Sequence, residues 1–153
     1  GRGDRLTSLL DPDQSSWPRH YWVMARAHHG LSTPEVFRTL DQLREGGVPA
    51  QLSETERQAL CAGADELASV LCNDLTAPAL HLYPELATTI HDATDAGACA
   101  AILSGSGPTI AVLARNREQA DELAEALRTS NEVSAVLPTS GPAVGAIVEE
   151  EGS

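Results

Sequence analysis

Residues 103–109 read Leu-Ser-Gly-Ser-Gly-Pro-Thr and separate two short apolar runs, Ala100–Leu103 and Ile110–Ala114. Both runs have the length and composition of strands, so the stretch predicts a β-hairpin with a tight turn at its tip. Gly105 and Gly107 permit positive φ and let a ligand approach the main chain closely. Successive backbone N–H groups in such a turn can form a concavity that binds anions. A tight hairpin that binds no ligand fits the same residues.

Length and composition limit the class of the protein. The chain has 153 residues, of which 42% are hydrophobic and 21% charged, and this is ordinary for a globular domain. A chain of this length buries roughly 70% of its extended surface on folding, so we predict one domain over residues 1–153. No apolar run approaches the ~20 residues of a membrane span, and no N-terminal signal pattern is present. Because the chain begins with glycine instead of methionine, we expect a processed protein or a fragment.

The net charge of −12 is placed unevenly along the chain. Residues 1–50 carry six Arg and six acidic residues, whereas residues 51–153 carry four Arg and sixteen acidic residues. A protein that binds a phosphate backbone needs a basic face. Aromatic residues, at 3%, are also few for base stacking. The sequence therefore predicts no nucleic-acid partner.

Residue types also exclude several kinds of site. The chain has no lysine, so these residues contain neither a P-loop lysine nor a Schiff-base lysine. Cys61, Cys72 and Cys99 form no Cys-x-x-Cys pair, which favours free, mostly buried thiols in a reducing cytoplasm. The five histidines are scattered without metal-ligand spacing, so no metal site is predicted.

The part of the chain that leads to the hairpin begins with one strand and one helix. His20–Ala27 is rich in β-favouring residues and predicts a strand. Thr33 is the predicted N-cap of the helix, with Pro34 at its first position and Gly46-Gly47 at its end. At helical spacing, the predicted inward face consists of Val36, Phe37, Leu40 and Leu43.

Two further helices are predicted before the hairpin, and one after it. Ser53-Glu54-Thr55-Glu56 is a capping box, followed by one continuous apolar stripe: Leu60, Ala64, Leu67 and Leu71. Pro84 opens the next helix, which Gly97 ends. Asn116 caps the last helix, and its predicted buried residues are Ala120, Leu123, Ala124 and Leu127.

Val133–Leu137 and Val144–Val148 predict two final strands. Strands and helices thus mix without regular β-α alternation. This order predicts an α+β fold, in which helices pack on a mainly antiparallel sheet.

Three segments together resemble the C-terminal half of the GHMP family of small-molecule kinases. They are Gly30-Leu31-Ser32-Thr33-Pro34-Glu35-Val36-Phe37, Asn73-Asp74-Leu75 and the Ser-Gly-Ser-Gly-Pro-Thr turn, in that order. The resemblance covers residues 19–148 and implies a ferredoxin-like C-terminal domain. The order and spacing of the segments are most similar to members that act on a small-molecule cytidine diphosphate substrate.

The resemblance also implies roles for particular residues. Gly105, Ser106, Gly107 and Thr109 would form the loop that faces phosphate in the cleft, and Thr33 and Phe37 would bind substrate. Phe37 would do so by stacking on the cytosine. The implied cofactors are ATP and Mg²⁺, bound mainly by an N-terminal GHMP domain. That domain would be the partner of this chain and would carry all catalytic residues.

Other interpretations stay open for single residues. On pattern alone Phe37 is a core residue, Thr33 is only a helix cap, and Asp74 caps the short helix that follows it. If the turn lines a cleft, Gly107→Val should block ligand approach. Its cost in stability should be modest provided that the φ of this glycine is open to valine.

Two alternatives also stay open for the whole chain. One is the C-terminal domain of another GHMP kinase, of the homoserine or mevalonate type. The other is a stand-alone ferredoxin-like module with a regulatory or binding role, because fold by itself does not settle function.

Overall fold

A four-stranded sheet organises the part of the chain that the computed structural model describes, residues 17–44 and 52–143. The elements in chain order are β1 (His20–Ala27), α1 (Thr33–Leu43), α2 (Glu54–Leu60), α3 (Ala64–Val70), α4 (Thr76–Leu82), α5 (Leu86–Asp95), β2 (Ala100–Leu103), β3 (Thr109–Ala114), α6 (Arg117–Arg128) and β4 (Val133–Gly141). The helix end expected at Gly46-Gly47 and the strand expected at Val144–Val148 lie outside the described residues.

The strand order β2-β3-β1-β4 is antiparallel throughout. Val23 of β1 stands opposite Val112 of β3 on one side and Pro138 of β4 on the other. Helices α1 to α5 connect β1 to β2, and α6 connects β3 to β4. This is the β-α-β-β-α-β order of ferredoxin-like folds, which confirms the predicted α+β class and the predicted hairpin.

The core lies between one face of the sheet and the helices α5 and α6. Alternate residues of the central strands face the helices, because side chains along a strand point to opposite sides. Those at 0% exposure are Val23, Ala25, Ile110 and Val112. From the helices, Leu86, Ala93, Leu123 and Leu127 join the same cluster at 1% exposure or less. The predicted buried face of α6 is therefore confirmed.

The helix predicted after the capping box is two helices. Ser53 and Glu56 form the box as predicted, with Glu56 N–H donating to Ser53 Oγ at 3.2 Å. The chain then leaves the helical conformation, and Gly63 begins α3 with extended angles of φ −70° and ψ 177°. Because glycine weakens a helix interior by about 1 kcal/mol relative to alanine, Gly63 favours a break between the two helices. The apolar spacing continues across this break. The prediction of one helix was wrong.

Gly97 ends α5 as predicted. Its φ is +90°, which glycine adopts without strain. The N–H of Ala98 donates to Ala93 O at 3.1 Å, and that of Gly97 to Thr94 O at 2.9 Å. This pair of bonds is the Schellman motif.

The inward face of α1 differs from the predicted one. Val36 and Thr39 are buried, whereas Phe37 is 49% exposed and Leu43 is 53% exposed. Because α1 packs mainly against α4, its contact face is rotated by part of a turn from the apolar stripe.

None of the helices in the described ranges combines the length and apolar character that crossing a bilayer requires.

Candidate functional site

The turn between β2 and β3, here called the glycine turn (Ser104–Pro108), forms the centre of the site. It is closed by Ser104 N–H donating to Thr109 O at 2.8 Å and by Gly107 N–H donating to Ser104 O at 3.0 Å. Gly105 has φ +59° and Ser106 has no positive φ. A positive φ at the first central residue alone is characteristic of a type II′ turn, which favours glycine there.

Two backbone donors of the glycine turn remain available to a ligand. The N–H groups of Gly105 and Ser106 hydrogen-bond to none of the residues that the structure describes. A Cβ placed on Gly105 would meet no atom within 4 Å, so the backbone there is open to close approach. Successive free N–H groups with this access suit an anion such as a phosphate.

Thr33 contacts the glycine turn instead of capping its helix. The N-cap of α1 is Ser32, which makes no side-chain capping bond, and Thr33 is the first helical residue. Its Oγ1 lies 2.7 Å from Ser106 Oγ. The N-cap prediction for Thr33 was therefore wrong by one residue. The structure instead brings two of the predicted site residues together across 73 positions of sequence.

Asn73 is a residue of the site that sequence reasoning missed. Its side-chain nitrogen donates to Leu103 O at 2.8 Å and to Gly105 O at 2.7 Å. Its Oδ1 accepts the N–H of Leu75 at 2.9 Å, as in an Asx turn. An asparagine just before a short helix is a signal for that turn, but no local signal indicates that the same amide reaches the hairpin.

A groove beside the glycine turn, here called the α1 groove, has a volume of about 440 Å³. Its lining residues come from α1 and from the α3–α4 joint: Phe37, Leu40, Arg44, Cys72, Asn73, Asp74 and Leu75. Phe37 is 49% exposed, so the alternative that it belongs to the core was wrong. Asn73 both lines this groove and holds the glycine turn, which makes the groove and the turn continuous.

Asp74 pairs with Arg44 across the α1 groove. The Arg44 guanidinium donates to Asp74 Oδ2, and both side chains are partly exposed. The helix that follows, α4, begins from Leu75 without any side-chain cap. The alternative that Asp74 caps α4 was wrong. The pair ties the end of α1 to the joint that holds Asn73.

Gly107 has no room for a side chain, so Gly107→Val cannot have the modest cost in stability that was expected from the sequence. Its φ is +81°, and a Cβ would lie 2.9 Å from Leu103 Cδ1 and 3.1 Å from Leu31 Cδ1. The expected modest cost of Gly107→Val depended on an open φ, and this condition is not met. Gly105 is the turn position at which a side chain meets only conformational strain.

The described residues hold no other strong candidate for chemistry. Within 17–44 and 52–143 there is no group of three or more His, Cys, Asp or Glu side chains placed to hold a metal ion. Burial raises the pKa of the Cys99 thiol, and the nearby Arg115 only opposes this in part. Since the thiolate is the nucleophile, Cys99 is poorly suited to that role at neutral pH.

A second groove, of about 500 Å³, lies between α5 and the connection from α6 to β4. Its walls carry Asp92, Asp95 and Glu132 and no basic residue. Negative walls repel a phosphate. The glycine turn, with its two free N–H groups, and the α1 groove, with Arg44 on its wall, are the candidate site for a phosphorylated ligand.

Comparisons with known proteins identify the family to which this domain is similar. Residues 57–133 match the family model for the GHMP kinases C terminal. The chain is 42% identical over 151 residues to a 4-diphosphocytidyl-2-C-methyl-D-erythritol kinase from Nocardia farcinica, which covers 97% of this chain and 48% of the relative. The chain spans about half the length of the curated relatives it matches.

Solved structures show the same fold. A crystal structure of 4-(cytidine 5'-diphospho)-2C-methyl-D-erythritol kinase superposes with a TM-score of 0.65 at 25% identity, covering 82% of this chain and 44% of that one. A mevalonate kinase from L. major, in complex with R-mevalonate, superposes with a TM-score of 0.61 at 19% identity. It covers 81% of this chain and 43% of that one, and at this identity it shows the fold alone.

Proposed function

This chain belongs to the GHMP kinases, and on that premise we propose that residues 1–153 form the C-terminal domain of a kinase. The proposed reaction transfers the γ-phosphate of ATP to a hydroxyl of 4-diphosphocytidyl-2-C-methyl-D-erythritol. One observation carries the proposal: Thr33, Asn73 and the glycine turn, which are far apart in sequence, meet through hydrogen bonds beside the exposed ring of Phe37. The identity to the relatives directs it to the cytidine substrate.

The glycine turn supplies the phosphate-facing wall of the proposed cleft. Its free N–H groups at Gly105 and Ser106 are preorganised donors, so they need no rearrangement when a phosphate arrives. Thr33 brings the N-terminal end of α1 against Ser106, and this end of a helix favours negative charge. Phosphoryl transfer depends mostly on positioning and charge stabilisation, which is what backbone donors provide.

The α1 groove supplies the proposed site for the nucleotide part of the substrate. Half of the Phe37 side chain is open to solvent, and an aromatic face of this kind stacks on a base. A second aromatic ring, from the other half of the protein, would complete the stack. Arg44 is the basic residue on the groove wall.

The remaining parts of the reaction fall to the N-terminal GHMP domain, which we propose as the partner of this chain. The free N–H groups of the glycine turn support binding of a phosphate of ATP there, and the described residues contain no group of three or more His, Cys, Asp or Glu side chains that could hold a metal ion by itself. Mg²⁺ bound by the other domain would neutralise the charge that develops on the phosphates. No catalytic side chain is assigned to this chain, and the activity is proposed to be cytoplasmic.

The test is a chimera in which this chain replaces the matching half of the Nocardia farcinica relative. ATP-dependent phosphorylation is measured with three acceptors: 4-diphosphocytidyl-2-C-methyl-D-erythritol, homoserine and mevalonate. We expect kcat/KM for the cytidine acceptor to exceed the others by at least about a hundredfold, because recognition of the nucleotide contributes to transition-state binding. The isolated chain should show no turnover.

The intact relative is the positive control, and a thermal melt establishes that the chimera is folded. A folded chimera that prefers homoserine or mevalonate would place the chain with another member of the family. A folded chimera without turnover on any acceptor would refute the proposed kinase half. Turnover by the isolated chain would refute the assignment of all catalytic residues to the other domain.

A further inference from the structure

Asn73 makes three hydrogen bonds to the backbone through its side-chain amide. Its two N–H donors are divided between Leu103 O and Gly105 O, at 2.8 and 2.7 Å, and its oxygen accepts from Leu75 N–H at 2.9 Å. This pattern fixes the orientation of the amide, because the flipped group would place its oxygen against two carbonyl oxygens. Few side chains could replace it, since only an amide offers two donors and an acceptor in this plane.

The bond to Gly105 O determines where the next backbone N–H points. The carbonyl of Gly105 and the N–H of Ser106 belong to one peptide unit, and in a trans unit they point in opposite directions. Asn73 holds the carbonyl on the side of the α3–α4 joint. The N–H of Ser106 therefore faces away from the joint, where no described residue accepts it.

The second bond fixes the strand that enters the glycine turn in the same way. Asn73 binds Leu103 O, and the N–H of Ser104, in the same peptide unit, donates to Thr109 O on the opposite side at 2.8 Å. The carbonyls of Leu103 and Gly105, which flank Ser104, are thus held by one amide. Thr33 then holds the Ser106 side chain from α1, so the turn is fixed from two directions.

We infer that Asn73 is a positioning residue of the proposed phosphotransfer site, one that sets the Gly105–Ser106 peptide so that the Ser106 N–H is presented to a phosphate. The inference rests on the proposed function for the identity of the anion. The orientation of the peptide itself is independent of that function. Asn73 does not touch the reacting groups in this role, because it acts through the backbone of the turn.

Asn73→Asp is the sharpest variant, because it keeps the shape and the acceptor for Leu75 N–H but sets an oxygen against two carbonyls. Asn116→Asp is the matched control. It makes the same chemical change at the cap of α6, where the side chain only accepts a bond, from Gln119 N–H, and aspartate serves equally well there. Asn73→Ala, which removes the fork without adding charge, is the second variant should Asn73→Asp fail to fold.

The first readout uses the 153-residue chain alone and needs no activity. Amide chemical shifts and hydrogen-exchange rates are recorded by NMR. We expect the Asn73 variants to change the amide chemical shift of Ser106. They should also speed hydrogen exchange at the N–H of Gly107, which is bonded inside the turn. Asn116→Asp should leave both unchanged. If the folded Asn73 variants leave the turn signals as they are in the parent chain, the positioning role is wrong.

The second readout uses the chimera. We expect Asn73→Asp and Asn73→Ala to lower kcat by about tenfold to a hundredfold, on the scale of one misplaced preorganised donor. In Asn73→Ala, which adds no charge to the groove wall, KM for the cytidine acceptor should stay within about threefold. Equal kcat in the Asn73 variants and the Asn116→Asp control would overturn the inference. Should the parent chimera itself lack turnover, the proposed function fails, whereas the NMR comparison still decides whether Asn73 sets the turn.

Discussion

Two amphipathic helices of similar length, α1 (Thr33–Leu43) and α6 (Arg117–Arg128), use their apolar residues in opposite ways. In α6 the whole apolar stripe is buried against the sheet, and the opposite face is exposed and acidic. In α1 two large apolar residues, Phe37 and Leu43, are about half exposed, and the buried positions are Val36 and Thr39.

The difference distinguishes a helix that packs in the core from a helix that is proposed to bind a ligand. A helix that needs only to stabilise the fold buries its apolar stripe, because removing apolar surface from water is the main source of stability. A helix that leaves an aromatic ring at the rim of a groove forgoes part of that stability. Exposed apolar side chains beside unpaired backbone donors mark a surface for a ligand or partner. On this account α6 is structural, and α1 contributes to the proposed site.

The largest expected effect is on stability at α6. Leu123→Ala removes a side chain that is 1% exposed, and we expect the free energy of unfolding to fall by about 3–5 kcal/mol. Leu43→Ala in α1, at 53% exposure, should change it by less than about 0.5 kcal/mol. Urea unfolding followed by circular dichroism measures both. Equal losses at the two positions would remove the distinction between the helices.

The next effect distinguishes the two glycines of the turn. Gly107→Ala meets both a positive φ and a contact at 2.9 Å with Leu103, so we expect a loss of about 2–3 kcal/mol. Gly105→Ala meets a positive φ and open space, and its loss should be about 1 kcal/mol. The melting temperatures of the two variants measure the difference. A greater loss for Gly105→Ala would show that the turn is packed differently.

A smaller effect concerns the ion pair at the α1 groove. The side chains of Arg44 and Asp74 are 30% and 58% exposed, so Asp74→Asn should lower stability by less than about 1 kcal/mol. Salt should reduce the loss, because it screens exposed charges. Asp41→Asn, on the same helix and without an ion pair to any described residue, is the control. A loss that persists unchanged at high salt would contradict a simple surface pair.

Local signals in the sequence were sufficient to predict most of the fold. The cap at Asn116, the stop at Gly97 and the β-favouring residues of β1 act within a few residues, and each has its predicted place. The contact face of α1 could not be predicted, because it depends on how α4 packs against it. The break at Gly63 was missed because the apolar spacing continues across it.

The candidate site was predicted in its parts but not in its connections. The glycines and the residues Thr33 and Phe37 were identified from the family resemblance and stay predictions as binding residues. The bond from Thr33 to Ser106 spans 73 positions, and that from Asn73 to Gly105 spans 32. No periodicity or capping rule reports such contacts, so the role of Asn73 needed the three-dimensional structure.

The most direct test of the binding role proposed for α1 is Phe37→Ala in the chimera, with KM and melting temperature measured on the same preparation. Because the ring is half exposed, its removal should leave the melting temperature almost unchanged. We expect KM for the cytidine acceptor to rise by about tenfold or more, as for the loss of one base-stacking aromatic, with KM for ATP within twofold. An unchanged acceptor KM, together with the 3–5 kcal/mol loss of stability that is typical of a truncated core aromatic, would contradict the account.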